Sequence, residues 1–280
     1  MNKKIIVGYD GSSASHAAMT WALDEATRTA NPVELVYVDE YPIWQPAASM
    51  VPSPGGRPQS YTGEVIEPML ERAATAAAQS HPLVTVTTAI VPAYVVPALV
   101  ERSARASLVV LGGDGRAAAA VSGRAHCPVV VVRGEPAAAG PVVAGVDDSA
   151  VAAEVLAFAA EQAAALKAPL HIIRAWKPVT GLWEQSAMDA HTVTAAEREP
   201  FDTMVTLIRD TYPDLEVEAE ALVESPARAL THAGATAQLL VVGARRRGPL
   251  RGALAGSVSR HLLRHAGCPV AVVPDRIGRI

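Results

Sequence analysis

Short, unbroken runs of Val, Ile and Leu recur along the chain, separated by longer stretches in which apolar and polar residues mix. Residues 5–7, 108–111, 129–132, 142–144, 239–242 and 270–273 are such runs. A strand with one wet face alternates apolar and polar positions. A run with no polar gap suits a parallel strand covered on both faces. The stretches between them read as helices. Residues 13–29 follow Asp10-Gly11-Ser12-Ser13, a segment rich in N-cap formers, and predict a helix. Strands alternating with helical segments imply right-handed βαβ crossovers and a doubly wound α/β sheet.

The pattern is written twice. Residues 5–12 (IIVGYDGS) match 142–149 (VVAGVDDS) at an offset of 137, so that Gly8 meets Gly145, Asp10 meets Asp147 and Ser12 meets Ser149. At the same offset Trp21 meets Phe158, and residues 32–38 meet 169–175; Trp21 and Phe158 sit at helical core spacing and read as packing. The offset then drifts. Residues 108–112 pair with 239–243, and Cys127-Pro128 with its valine run pairs with Cys268-Pro269. Four matched blocks in one order mark an internal repeat. The segment 133–140 (RGEPAAAG) reads as the linker.

Composition narrows the picture. Half of the 280 residues are hydrophobic but only 4% are aromatic, so the core is built from Ala, Val, Leu and Ile, as in helices packed closely on a sheet. A net charge of −4 argues against a general nucleic-acid binder. The N-terminal run before Asp10 is too short for a secretion signal, and no stretch approaches the roughly 18 apolar residues of a membrane span. Cys127 and Cys268, at equivalent places before the last strand of each copy, read as buried reduced thiols. These features predict a cytoplasmic protein.

In an open parallel sheet, ligands bind beyond the carboxyl ends of the strands where strand order reverses. The residues there are Asp10 and Asp147 after the first strands, and Gly112 and Gly243 after the fourth. In the second copy a long loop follows: residues 243–259 read GARRRGPLRGALAGSVS. Its glycines let backbone amides approach an anion, and Gly256-Ser257 precedes a helical stretch, 258–265, whose N-terminus is electropositive. Ser257 and Ser259 add hydroxyl donors. The loop matches neither a P-loop nor the G-x-G-x-x-G fingerprint, and the glycines also suit turns and packing.

Together these residues resemble the universal stress protein family, in the tandem two-domain form common in actinobacteria, over nearly the whole chain. The family motif after the fourth strand is a glycine, a second glycine after two intervening residues, and a Gly-Ser or Gly-Thr pair after nine more. Gly243 fits the first position, Gly256-Ser257 the last two, and Val258 the residue that trails them. The second glycine is replaced by Arg246, which adds bulk where close approach is needed. Arg245, Arg246 and Arg247 also carry charge that reaches toward phosphates or forms a solvated basic turn.

The resemblance implies two tandem domains, each a five-stranded parallel sheet of order 3-2-1-4-5 with helices on both faces. They span residues 1–133, with a degenerate phosphate loop, and 140–280, with a near-complete one. It implies ATP, with Mg, as the ligand of the second. Asp147 and Ala175 lie beside the adenosine there, and Val242, Gly243, Arg246, Gly256, Ser257 and Val258 form the phosphate loop. It also implies that the last strands of the two copies pair, making an intramolecular pseudo-dimer that can dimerise further. In the first copy only residues 113–126 separate Gly112 from Cys127, 14 where the second copy has 24. The deficit removes the Gly-Ser end and predicts loss of most of a helix, leaving Asp10 as a relic or a helix cap.

Other features are weaker. Residues 41–58, with Trp44, and the region of Trp176 and Trp183 are placed to cover the crevice in each domain. His261 and His265 have zinc-ligand spacing but no third ligand beside them, as on a solvated helix face. Asp147-Asp148 is the only carboxylate pair near the loop, and Asp148 reads equally as a helix cap, so little supports an enzyme. Two readings remain open: a non-enzymatic nucleotide-binding stress-response protein, and a nucleotide-free interaction module with unknown protein partners.

Overall fold

In each half of the chain the first strand is flanked by the second and the fourth, and the chain switches direction across the sheet between them. The computed structural model describes residues 3–40, 62–113, 116–133, 139–176, 195–244 and 256–275. The chain divides into two units: residues 1–113 with 125–132, and residues 114–124 with 133–280.

In the first unit, β1 (Lys4–Gly8), β2 (Val33–Asp39), β3 (Val86–Pro92), β4 (Ala106–Gly112) and β5 (Val129–Val132) stand in the order β3-β2-β1-β4-β5. Every pairing is parallel, with Gly8 opposite Val36 and Val7 opposite Val110. Helix α1 (Ser13–Thr29) begins and ends where the sequence predicts. It lies on the same face as α2 (Glu67–Ser80), to which His81 Nε2 and Asp24 Oδ1 tie it at 3.1 Å. Helix α3 (Val95–Ser103) covers the other face, where Leu99 stands against Gly8.

The second unit repeats the arrangement. β6 (Val142–Val146), β7 (Leu170–Trp176), β8 (Val217–Val223), β9 (Leu239–Gly243) and β10 (Val270–Val273) stand in the order β8-β7-β6-β9-β10, again all parallel. Helices α5 (Ala152–Leu166) and α6 (Ala195–Thr211) pack on one face, and α7 (Pro226–Ala233) and α8 (Ser257–His265) on the other. Helix α4 (Arg116–Ser122), from the shortened loop after β4, belongs to this unit and packs against α8. The sequence predicts loss of most of this helix. Instead it keeps seven residues against nine in α8, and the deletion falls on the loop before it.

Leu239, Leu240 and Val241 are at most 1% exposed. Each such side chain contributes about 1.5–3 kcal/mol by leaving water. Covering both faces is why these strands show no polar alternation. The repeat extends to backbone conformation: α1 ends at Ala30 and α5 at Lys167, both left-handed at φ 53°. Among the described residues no helix is long and apolar enough to cross a membrane.

Candidate functional site

The carboxyl end of β6 and the carboxyl end of β9 are neighbours, with Gly145 in register with Val242. Asp147 leaves β6 into the turn before α5, and Gly243 closes β9, so the two lie at the same edge. Val242 is buried, whereas Asp147, Ala175, Gly243, Gly256 and Val258 are half-buried and Ser257 is exposed. Ala175, near the end of β7, is in register with Leu222. Packing also favours a glycine at 243: a Cβ there would stand 2.5 Å from Val151 Cγ1 at the entrance to α5.

Gly256 caps α8 with φ −54° and ψ 165°, and no side chain completes the cap. Its carbonyl accepts from the Arg260 amide at 3.0 Å and from Ser259 Oγ at 3.0 Å. Among the described residues no side chain accepts from the first amides of α8, which is the condition for an anion to take that role. Ser259 is 2% exposed and committed to the helix rather than to a ligand. Arg246, with the rest of 245–255, lies outside the described residues, as do Trp44 and Trp183. Beside this end of the sheet, a groove of about 700 Å³ runs between α7 and α8, lined by Ser225, Arg228, Thr231, His232 and His261.

The aspartates differ from their predicted use as helix caps. Asp10 Oδ1 accepts from the Ser12 amide at 2.9 Å, and the Ser12 hydroxyl in turn accepts from the Ser15 amide at 3.2 Å and caps α1. Asp10 thus steadies the capping residue. Burial raises its pKa, but the hydrogen bonds from Ser12 outweigh that and hold it below the ordinary value. In the second unit Asp147 Oδ1 accepts from both the amide, at 3.0 Å, and the hydroxyl of Ser149. Asp148 does not cap α5, whose N-cap is Val151. Its carboxylate pairs with Arg174 on β7.

Arg174 escapes the sequence reading. It is buried in β7, which also carries Leu170, Ile172 and Ile173 in the core and a half-buried His171, and its guanidinium lies 4.7 Å from the centre of the Trp176 ring. Trp176 is therefore engaged with Arg174. The available signal was a lone charge inside a run that needed none.

The first unit presents different chemistry at the equivalent edge. Met69 lies over the Gly11 turn, its Sδ 2.5 Å from where a Gly11 Cβ would stand, and Gly11 is left-handed at φ 81°. His16 Nδ1 donates to the Ser12 carbonyl at 2.8 Å, so in the neutral ring Nε2 accepts from the Tyr9 hydroxyl at 2.8 Å. Burial, with the Asp10 carboxylate, raises the Tyr9 pKa and keeps the hydroxyl protonated. Only residues 113–115 stand between β4 and α4, where 244–256 stand between β9 and α8.

The two histidines of α8 stack on one another, with ring centres 4.5 Å apart. Among the described residues no cluster of three His, Cys, Asp or Glu side chains is placed to hold a metal ion. Cys127 and Cys268 are both buried thiols, and burial raises the Cys268 thiol to about 11.

Comparison with known proteins agrees with the duplicated architecture. A model of the universal stress protein family matches residues 1–133 and 139–274. A universal stress protein of Mycobacterium tuberculosis is 32% identical, with 96% of each chain covered. A universal stress protein structure from Archaeoglobus fulgidus has a TM-score of 0.66 at 16% identity, covering 97% of this chain and 98% of its own. A universal stress protein solved in complex with cAMP is 26% identical, covering 49% of this chain and 98% of its own, with a TM-score of 0.38. The chain belongs to the universal stress protein family and carries the family domain twice in tandem.

Proposed function

We propose that the protein is a non-enzymatic stress-response protein whose second unit binds an adenine nucleotide, ATP with Mg, and whose first unit does not. One observation carries the reading: Asp147, Gly243 and the N-terminus of α8 at Gly256-Ser257, which no described side chain caps, belong to one unit, at the carboxyl ends of its strands. In this reading Asp147 and Ala175 flank the adenosine. The amides at Gly243 and at Gly256-Ser257, with the Ser257 hydroxyl and Val258 behind it, receive the phosphates, and Arg246 adds charge from the loop. Magnesium, bound with the nucleotide, would offset the charge of the phosphates. Nucleotide occupancy then alters the surface that the loop offers to protein partners.

The first unit keeps three residues, 113–115, where the second has thirteen, and those three include no Gly-Ser pair, so it has no equivalent cradle. The test is a melting curve of the full chain with MgATP. Ligand at 100 times its Kd stabilises the folded state by about 2.7 kcal/mol. Gly256→Asp, which puts a carboxylate at the phosphate position, is expected to abolish the shift while leaving the ligand-free melting curve near wild type. A wild-type protein that shows no shift at millimolar nucleotide overturns the proposal.

A further inference from the structure

The turns after β1 and β6 descend from one pattern but are built differently. In the first unit the turn uses a left-handed glycine, Gly11, and a Ser12 hydroxyl that caps α1. In the second unit Asp148 stands in place of Gly11 without a left-handed backbone, and α5 starts with no side-chain cap. The Ser149 carbonyl accepts from the Ala152 amide at 3.0 Å instead. What replaces the glycine and the cap is the ion pair from Asp148 to Arg174.

That pair leaves Arg174 only partly satisfied, although its guanidinium also lies against the Trp176 ring. The Arg174 side chain is 6% exposed, while that of Asp148 is 70% exposed. One Arg174 nitrogen meets the carboxylate, but Nε and Nη1 are buried and have no hydrogen-bond partner among the described residues. Buried cationic donors left unmatched oppose folding, and here only the arginine of the pair is buried. The fold itself needs no charge there, because the equivalent residue in the first copy is Tyr37. A costly arrangement that the scaffold can dispense with marks a functional site.

Consecutive residues of a strand point to opposite faces. Arg174 is in register with Val146 and lies under the α5 side, whereas Ala175 faces the other way. In the turn after β6, Asp148 reaches Arg174, and its neighbour Asp147 accepts from Ser149. We infer that Arg174 is a positioning residue for the nucleotide site: by holding Asp148 it fixes the β6–α5 turn, and so fixes where Asp147 presents its carboxylate. This rests on the reading of Asp147 as the group beside the adenosine.

The test compares wild type with Arg174→Tyr, which copies the first unit, Arg174→Lys, and Asp148→Asn, whose exposed side chain leaves the core untouched. Three readouts are taken on the full chain: the melting temperature, hydrogen exchange at the Ser149 and Ala152 amides, and the affinity for MgATP. Arg174→Tyr is expected to melt at or above the wild-type temperature, to exchange faster at those two amides, and to bind about tenfold more weakly. Asp148→Asn follows it in exchange and affinity, and Arg174→Lys, which still reaches Asp148, recovers part of the affinity. A lower melting temperature with unchanged exchange at the turn makes Arg174 a packing residue and overturns the inference. Unchanged affinity with faster exchange overturns the link to the ligand. If wild type binds no nucleotide the proposed function falls, and the exchange comparison alone still decides whether Arg174 holds the turn.

Discussion

Gly112 and Gly243 are the same position of the repeat, and their alanine variants should differ in a way the structure makes quantitative. A Cβ on Gly112 would meet backbone: the Ala14 carbonyl group at less than 3.0 Å, and the Ser15 nitrogen at 2.9 Å. Both belong to the first turn of α1, so the whole helix end must retreat by about 1 Å or more, and interiors packed like organic crystals yield little. A Cβ on Gly243 would meet Val151 Cγ1 at 2.5 Å and Val155 Cγ2 at 3.5 Å, both side-chain methyls. Overpacking costs about 1–3 kcal/mol, less where a side chain can give way. Removing a glycine also restricts the unfolded chain, returning about 0.4–1 kcal/mol. Gly112→Ala is therefore expected to destabilise its unit by about 2 kcal/mol and Gly243→Ala by about 1 kcal/mol or less. Equilibrium urea unfolding reads this directly. With a slope of about 2 kcal/mol per molar, the Gly112→Ala midpoint falls by about 1 M and the Gly243→Ala midpoint by half that or less. Equal losses, or a larger loss at Gly243, would refute the distinction between backbone and side-chain neighbours.

Further outcomes follow from the helix ends and the buried thiol. Ala30 and Lys167 each hold a left-handed conformation at φ 53°. Relieving it by Ala30→Gly or Lys167→Gly should stabilise by about 0.5–1 kcal/mol each, and a lower urea midpoint in both variants would count against it. Burial raises the Cys268 thiol from 9.0 to about 11, so the unfolded chain ionises it first. The folded state keeps the full benefit below about pH 9 and loses it as pH rises toward 11. Cys268→Ala should flatten that part of the stability profile relative to wild type, and parallel profiles would contradict the assigned cause.

Much of the fold was legible because covered parallel strands write themselves as unbroken Val/Ile/Leu runs. The runs at 142–144 and 239–242 extend by only two residues and one residue, respectively, in β6 and β9. Helix α1 was readable at its start because Ser12, within the segment rich in N-cap formers, caps it. The strand order came from the family resemblance together with the rule for ligand crevices, since no local pattern encodes which strands become neighbours. Two readings failed, each for its own reason. Asp148 was taken for a helix cap, whereas it pairs with a side chain 26 positions away, and a tertiary partner leaves no mark in local spacing. The shortened first loop suggested a lost helix, yet the alanine run keeps its helical propensity and the loop absorbs the deletion.

The claim that one unit of the pair retains a nucleotide site is tested most directly by stoichiometry. Isothermal titration of the full chain with MgATP, repeated on Gly256→Asp, should give one site per chain in wild type and none in the variant. Two sites per chain, or a site that survives Gly256→Asp, would contradict the account.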